Sequence, residues 1–272
     1  PTNWVLLSVS NNGSSISANF KKYSNGMASY DLPEDIILPV RGVTYTEGLV
    51  SPNPGDTLTS SVYTDYSPHD VNVTVDNQII TLINMQYGDL PNIIYVNNSY
   101  TGYSTGTQNQ PFKNVKDAIN LANYAGSGNV TVYVASGKYS DVNMTINNNI
   151  LLISQGDVIL DAENKGYFFI CDNPDLYLSI NGFSFFNGTG YRNISTIIGG
   201  AIYSSGNLII NNSYFQNNHA NYGGAIYSTG NCTIYSSVFS DNHVTPESGG
   251  AIYSSGELNV FNSFFYDNTA SN

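Results

Sequence analysis

The sequence predicts an all-β chain: an antiparallel β-sandwich over 1–90, then a right-handed parallel β-helix with an N-terminal capping helix. Three observations carry this. An eight-residue motif recurs as Gly199-Gly-Ala-Ile-Tyr-Ser-Ser-Gly206, Gly223-Gly-Ala-Ile-Tyr-Ser-Thr-Gly230 and Gly249-Gly-Ala-Ile-Tyr-Ser-Ser-Gly256, at spacings of 24 and 26 residues. The copies are joined by short alternating stretches and Gly/Asn/Ser corners without helical spacing. Residues 1–90 lack the motif but alternate at short intervals between turn signals.

In chain order, the alternating stretches Trp4–Ser10, Ser15–Phe20, Val62–Tyr66, Val71–Val75 and Ile79–Ile83 are broken by Asn-Gly, Pro-Asn-Pro-Gly and Ser-Pro turns. That rhythm predicts the sandwich. A cap and first coil are expected over 91–146. Within them, 111–125 has Phe112, Val115, Ile119 and Ala122 at helical spacing, Pro111 near the first turn, and Gly126 and Gly128 as stops. Such a helix would shield the unpaired edge and apolar bore of the first coil. Strand Val130–Ala135 follows.

The repeat region is expected over 147–272. Ile150–Ile153, Val158–Leu160 and Phe168–Cys171 read as strands of early coils. Leu178, Ile180, Asn181 and Phe185 align with Leu208, Ile210, Asn211 and Phe215. Each later unit has an alternating pair (Leu208/Ile210, Cys232/Ile234, Leu258/Val260), a corner residue (Asn212, Ser236, Asn262) and a Phe with an Asn three places on: Phe215/Asn218, Phe239/Asn242, Phe265/Asn268. One unit cannot bury its apolar face alone. Stacked units can, each strand pairing with its copy about 4.8 Å away. A Phe ladder then forms in the core, and the Asn ladder passes hydrogen bonds between coils. A leucine-rich repeat of similar length would need regular Leu-x-x-Leu-x-Leu spacing, which is absent.

Composition narrows the function classes. The net charge is −12, with only Arg41, Arg192 and six lysines. That is too little positive charge for nucleic acid or an anionic membrane surface. No run is long enough for a transmembrane helix and no signal peptide is visible, so any membrane anchor is expected outside this sequence. The start at Pro1 and the stop inside a repeat read as a piece of a longer, processed protein. Nine Asn-x-Ser/Thr sequons, Asn72, Asn143, Asn187 and Asn231 among them, are close to the chance number for 38 Asn. Cys171 and Cys232 fit no metal or redox motif and fall two coils apart, so both are expected as buried free thiols.

The span from Tyr95-Val-Asn through Gly106-Thr-Gln-Asn-Gln-Pro-Phe-Lys-Asn-Val-Lys-Asp-Ala-Ile to Val132-Tyr-Val-Ala-Ser-Gly-Lys-Tyr139 resembles the N-terminal cap of pectate-lyase-like β-helix proteins. The Gly-Gly-Ala-Ile and Phe-x-x-Asn pairs resemble repeats of methanogen adhesin-like proteins and chlamydial polymorphic outer-membrane proteins. Together these cover about 91–272. Residues 32–78, with Leu32-Pro-Glu-Asp-Ile-Ile-Leu-Pro-Val and Val71-Asn-Val-Thr-Val-Asp-Asn-Gln, resemble the Ig-like repeats of archaeal surface proteins and bacterial invasin-type stalks. The resemblance implies an Ig-like β-sandwich in 1–90 and an extracellular, cell-surface adhesin that attaches to a glycan or protein on another cell.

Because pectate-lyase-like folds also host enzymes, a lyase or hydrolase is a rival expectation, and a purely structural spacer is another. A lyase needs a base and cations or Ca²⁺ for the substrate carboxylates, yet 147–272 holds only Lys165 and Arg192. A hydrolase needs converging carboxylates, but the acids of this region mostly fall in turns. Asp241 and Asp267 are in register and read as solvated corner acids. His219 and His243 stack without a third ligand, which makes a surface ladder and no metal site. No catalytic residue, metal or cofactor is expected.

Binding candidates lie where length is added. Gly188–Ile197 and Thr245–Ser248 lengthen the same corner in successive coils, as binding edges of solenoids do. Tyr191 and Arg192 sit near the apex of the longer insertion. Tyr203, Tyr227 and Tyr253 form an adjoining outward stripe if their neighbouring isoleucines point in; such rings can stack on sugars or on one another.

Overall fold

The structure, a computed structural model, describes residues 92–102, 104–124 and 128–271, and the backbone of the strands lying within 2–85. The chain divides into two compact units, Pro1–Leu90 and Pro91–Asn272.

The first unit is mainly antiparallel β. Thr2–Asn11 pairs with Ser15–Ser24, which also pairs with Ala28–Asp31 and Ile36–Pro39. A second sheet joins His69–Val75 to Gln78–Met85 antiparallel and to Gly48–Leu49 parallel. Val43–Thr44 pairs with Ser61–Val62. The expected strand Val62–Tyr66 and the Pro-Asn-Pro-Gly turn fall largely outside the described residues.

The second unit is a right-handed parallel β-solenoid of about five turns. Its first sheet stacks Ile93–Val96, Val130–Tyr139, Ile150–Asp161, Tyr177–Phe186, Asn207–Asn211, Cys232–Tyr235 and Leu258–Phe261 in parallel. The last three are continued after a corner by Tyr214–Gln216, Val238–Ser240 and Phe264–Tyr266. A second sheet stacks Met144–Thr145, Phe169–Cys171, Ile202–Ser204, Ile226–Ser228 and Ile252–Ser254. A third is short: His219–Ala220, His243–Val244, Thr269–Ala270.

Among the described residues there is one helix, α1 (Val115–Tyr124), which follows the first solenoid strand. The expected start at 111 is four residues too early. Phe112 is instead extended, its N–H donating to Tyr95 O at 2.8 Å and its carbonyl accepting from Asn97 N at 2.7 Å. Asn114 is the N-cap: its Oδ1 accepts from Asp117 N at 2.8 Å while its Nδ2 donates to Asp117 Oδ2 at 2.9 Å. The apolar face (Val115, Ala118, Ile119, Leu121, Ala122) is buried. Strand Val130–Ala135 runs on to Tyr139, and the two expected strands of 150–160 are one strand bent near 154–157.

The register in the repeats is residue on like residue. Leu178, Leu208, Cys232 and Leu258 form one inward column, and Ile180, Ile210, Ile234 and Val260 another. Phe185, Phe215, Phe239 and Phe265 stack at 4.7, 4.7 and 4.8 Å. In the last of these rungs Phe265 is 45% exposed, where Phe215 and Phe239 are fully buried.

The Gly-Gly pair has two separate tasks. Gly223 has φ +63°, a left-handed corner. A Cβ on Gly224 would strike the carbonyl of Gly250 in the next coil. Asn187, Asn217, Asp241 and Asp267 are also left-handed, with φ between 53° and 59°. The in-register acids are thus corner residues that tolerate this backbone.

Asn218 and Asn242 are fully buried. Asn218 Nδ2 donates to Asn242 Oδ1 at 3.0 Å, and Asn242 Nδ2 donates to Asn268 Oδ1 at 2.8 Å. The same amide nitrogens also donate to Phe185 O and Phe215 O, and the Oδ1 atoms accept backbone N–H groups of the preceding coil.

Cys171 and Cys232 are free and buried. Cys171 pairs with Ser204, which pairs with Ser228 of the coil containing Cys232, so the thiols are two coils apart. Burial pushes the Cys232 thiol up to about 12. Little thiolate is then available for alkylation. Titration without reductant is expected to find two thiols in denaturant and almost none reacting rapidly in the native protein; a rapidly alkylated native thiol would contradict the packing.

Candidate binding edge

The longer insertion folds as a β-hairpin. Tyr191–Asn193 pairs antiparallel with Thr196–Ile198, in the register Tyr191↔Ile198, Arg192↔Ile197 and Asn193↔Thr196. Ile194 at its apex is 94% exposed and has φ +54°. A β-branched residue there is strained by steric contact of its own Cβ, and its side chain is in water.

The hairpin is tied to the coil that follows. Asn221 N donates to Ile197 O at 2.7 Å, and Asn221 Oδ1 accepts from Ile197 N at 2.8 Å. The Asn221 amide also donates to Thr245 O, the first residue of the shorter insertion. One side chain thus links the two insertions, which rise side by side. Glu247 accepts from the Tyr222 hydroxyl, and this bond is the main cause that raises the Tyr222 pKa.

Beneath the hairpin lies the tyrosine ladder. Ile202 and Ile226 point into the core, so Tyr203, Tyr227 and Tyr253 are on the outer face. They do not form an open stripe, however. Tyr203 is only 9% exposed. Tyr191 covers it with rings 6.0 Å apart and nearly parallel at 13°, and Tyr227 and Tyr253 stack at 5.0 Å and 8°. Tyr203 and Tyr227 are tilted by 49° at 5.8 Å, and Tyr222 meets Tyr227 and Tyr253 edge-on at 6.4 and 5.2 Å, so neighbouring rings cover much of the ladder. The Tyr203 hydroxyl donates to Asp172 Oδ1 at 2.8 Å. Burial first, then Asp172, pushes its pKa up to about 12.

The hairpin borders two grooves. One, of about 560 Å³, runs between the apex residues Asn193–Thr196 and Tyr203, Tyr222, Tyr227 and Tyr253. The other, of about 750 Å³, lies on the opposite side and is lined by Lys165, Tyr167, Tyr191, Arg192 and His219 with the amides of Asn143 and Asn164. Tyr167 meets Tyr191 edge-on at 5.5 Å.

Tyr191 and Arg192 therefore both reach a groove, while Tyr203 is mostly floor. Sequence reasoning missed Tyr222, Asn221 and Tyr167, weighed Lys165 and the acids of the region only for catalysis, and did not single out Ile194 within the insertion it named. Asn221 and Tyr222 immediately precede Gly223-Gly224, as Ile197 and Ile198 precede Gly199-Gly200, and that offset was a usable signal. Nothing in the sequence marked Ile194.

The other candidates have structural partners. His243 is hydrogen-bonded through both ring nitrogens, to Thr269 Oγ1 at 2.7 Å and Thr245 Oγ1 at 2.6 Å. Desolvation and then His243 lower the His219 pKa. Among the described residues no three His, Cys, Asp or Glu gather as a metal site. Asp161 meets Lys138 at 2.9 Å and Asn187 at 2.8 Å, Glu163 pairs with Lys165, and Asp241 accepts from Gln216 at 2.9 Å.

In comparison with known proteins, residues 212–229 and 236–255 match the family model of the Chlamydia polymorphic membrane protein repeat. Both stretches begin at a left-handed corner, Asn212 or Ser236, and run through the buried Phe and Asn to the Gly-Gly-Ala-Ile-Tyr strand. No curated protein and no solved structure matches the chain.

Proposed function

We propose that the chain is a non-enzymatic, adhesin-like protein of a cell surface. The solenoid presents the hairpin edge to a glycan or protein on another cell. Residues 1–90, an Ig-like domain, act as stalk or spacer, and α1 closes the N-terminal end of the solenoid. The polymorphic membrane protein repeat supports a surface setting. The wider resemblance of the repeats supports a methanogen surface.

The observation that carries this reading is the hairpin apex. Ile194 is a β-branched residue in a left-handed conformation, a backbone cost a tolerated spacer loop has no reason to keep. It lines the first groove, and the hairpin that carries it also borders the second through Tyr191, Arg192 and Ile197. Binding rather than chemistry is favoured because Asp161, Glu163, Asp172 and Asp241 are engaged in separate structural contacts.

Ile194→Gly tests the reading by separating stability from attachment. Glycine relieves the left-handed strain, worth about 1–2 kcal/mol, partly offset by its extra freedom in the unfolded chain. The melting temperature is expected to hold or rise while attachment to target cells or arrayed glycans falls. Attachment that survives Ile194→Gly and Arg192→Gln but disappears with residues 1–90 would move recognition to the first unit.

A further inference from the structure

The second groove has a charge its surroundings lack. The chain has eight basic residues against 20 acidic ones, and 147–272 contributes only Lys165 and Arg192. Although 27 positions apart in sequence, both line this one groove, together with His219 from the coil beyond. The hairpin register turns Arg192 outward beside Tyr191, and the corner 163–166 brings Lys165 up from the preceding coil. Lys165 is already paired with Glu163, whereas among the described residues no ion pair includes Arg192. The rest of the lining is two tyrosines, two asparagine amides, Thr189 and glycine backbone, with Ile197 as the one aliphatic side chain.

We propose that this groove binds a saccharide carrying a carboxylate, with Arg192 gripping the carboxylate while the charge of Lys165 beside it is balanced by Glu163. The guanidinium offers paired N–H donors that match a carboxylate's two oxygens. The amides of Asn143 and Asn164 and the Thr189 hydroxyl supply donors and acceptors for ring hydroxyls, and Tyr167 and Tyr191 supply apolar edges. A peptide is a poorer match, because the groove has little aliphatic lining and the hairpin strands already pair with each other. The inference rests on the hairpin edge being the recognition surface and assigns that surface a ligand class.

Calorimetry of the 272-residue chain with tetragalacturonate, with its carboxyl-reduced tetragalactose counterpart and with a heptaglutamate peptide tests it. The uronate is expected to bind and the neutral tetramer not to, with affinity falling as NaCl rises from about 50 to about 500 mM. Arg192→Gln is expected to weaken uronate binding about tenfold, and Arg192→Lys less, because the charge remains without the forked geometry. Circular dichroism would check that the variants are folded. The proposal is overturned if the neutral tetramer binds equally, if no uronate binds, if Arg192→Gln changes nothing, or if only heptaglutamate binds through Arg192. Loss of cell attachment in Ile194→Gly without uronate binding would leave the edge as recognition surface and remove this ligand class. Uronate binding through Arg192 with attachment untouched by hairpin variants would do the reverse.

Discussion

Replacing Phe239 with alanine is expected to cost about 3–5 kcal/mol, the usual range for removing a fully buried aromatic ring. Phe239 is sandwiched between Phe215 at 4.7 Å and Phe265 at 4.8 Å, with interplanar angles of 1° and 2°. Its loss leaves a void between rings that the rigid rung spacing prevents from closing. Because each coil contacts only its neighbours, the damage should concentrate in the last two coils. Hydrogen exchange should therefore show 226–271 opening before the coils around 150–186. Phe265→Ala is the internal control: its ring is 45% exposed, so its loss should cost distinctly less. Equal costs at the two positions, or an unchanged melting temperature for Phe239→Ala, would mean that the Phe column is not the core.

Asn242→Leu is expected to be comparably severe, for a different reason. Leucine keeps the branching at Cγ with bulkier methyl groups, but it removes the acceptor for Asn218 N and Asn218 Nδ2 and the donor to Phe215 O. Each buried polar group left without a partner costs about 1–3 kcal/mol. The sum is on the order of 3–6 kcal/mol, reduced where another partner remains, as Phe185 O does for Asn218 Nδ2. Asn242→Asp gives the same site a pH signature. One carboxylate oxygen can still accept from Asn218, but the other would face the Phe215 carbonyl and Asn268 Oδ1, so the folded protein would hold this carboxyl protonated. The native state then binds more protons than the unfolded one, and stability falls as pH rises. The deficit against the parent chain should be smallest below the unfolded carboxyl's range, about pH 4, and grow towards neutrality. Urea titrations at several pH values would measure this, and a pH-independent deficit would show that Asn242 is not enclosed as described.

The ladders of the core and the binding edge differ in how far the sequence reveals them. Phe215/Phe239/Phe265 and Asn218/Asn242/Asn268 recur at one offset from each Gly-Gly-Ala-Ile motif, and in a parallel stack equal offset means equal position. The β-solenoid, its register, the inward Ile and Phe columns and the separation of the two cysteines were therefore readable from residue spacing. Spacing also located the corner that carries both insertions.

What spacing could not supply is everything that does not repeat. The start of α1 at Val115 was set by Phe112 bonding to Tyr95 and Asn97 and by the Asn114 cap, where helical periodicity pointed to 111. Gly188–Ile197 has no copy in another coil, so no neighbouring rung dictated its conformation. Its placement came from contacts with Asn221 and Tyr203 and from its own pairing. Only the tertiary structure could decide that Tyr191 closes over Tyr203 and that Tyr222 packs edge-on against Tyr227 and Tyr253. It also decided that Lys165, Arg192 and His219 share one groove and that Ile194 occupies a left-handed apex. The physical reason is that translational symmetry fixes the parts of a solenoid that stack on copies of themselves, while an insertion must find its partners among side chains distant in sequence.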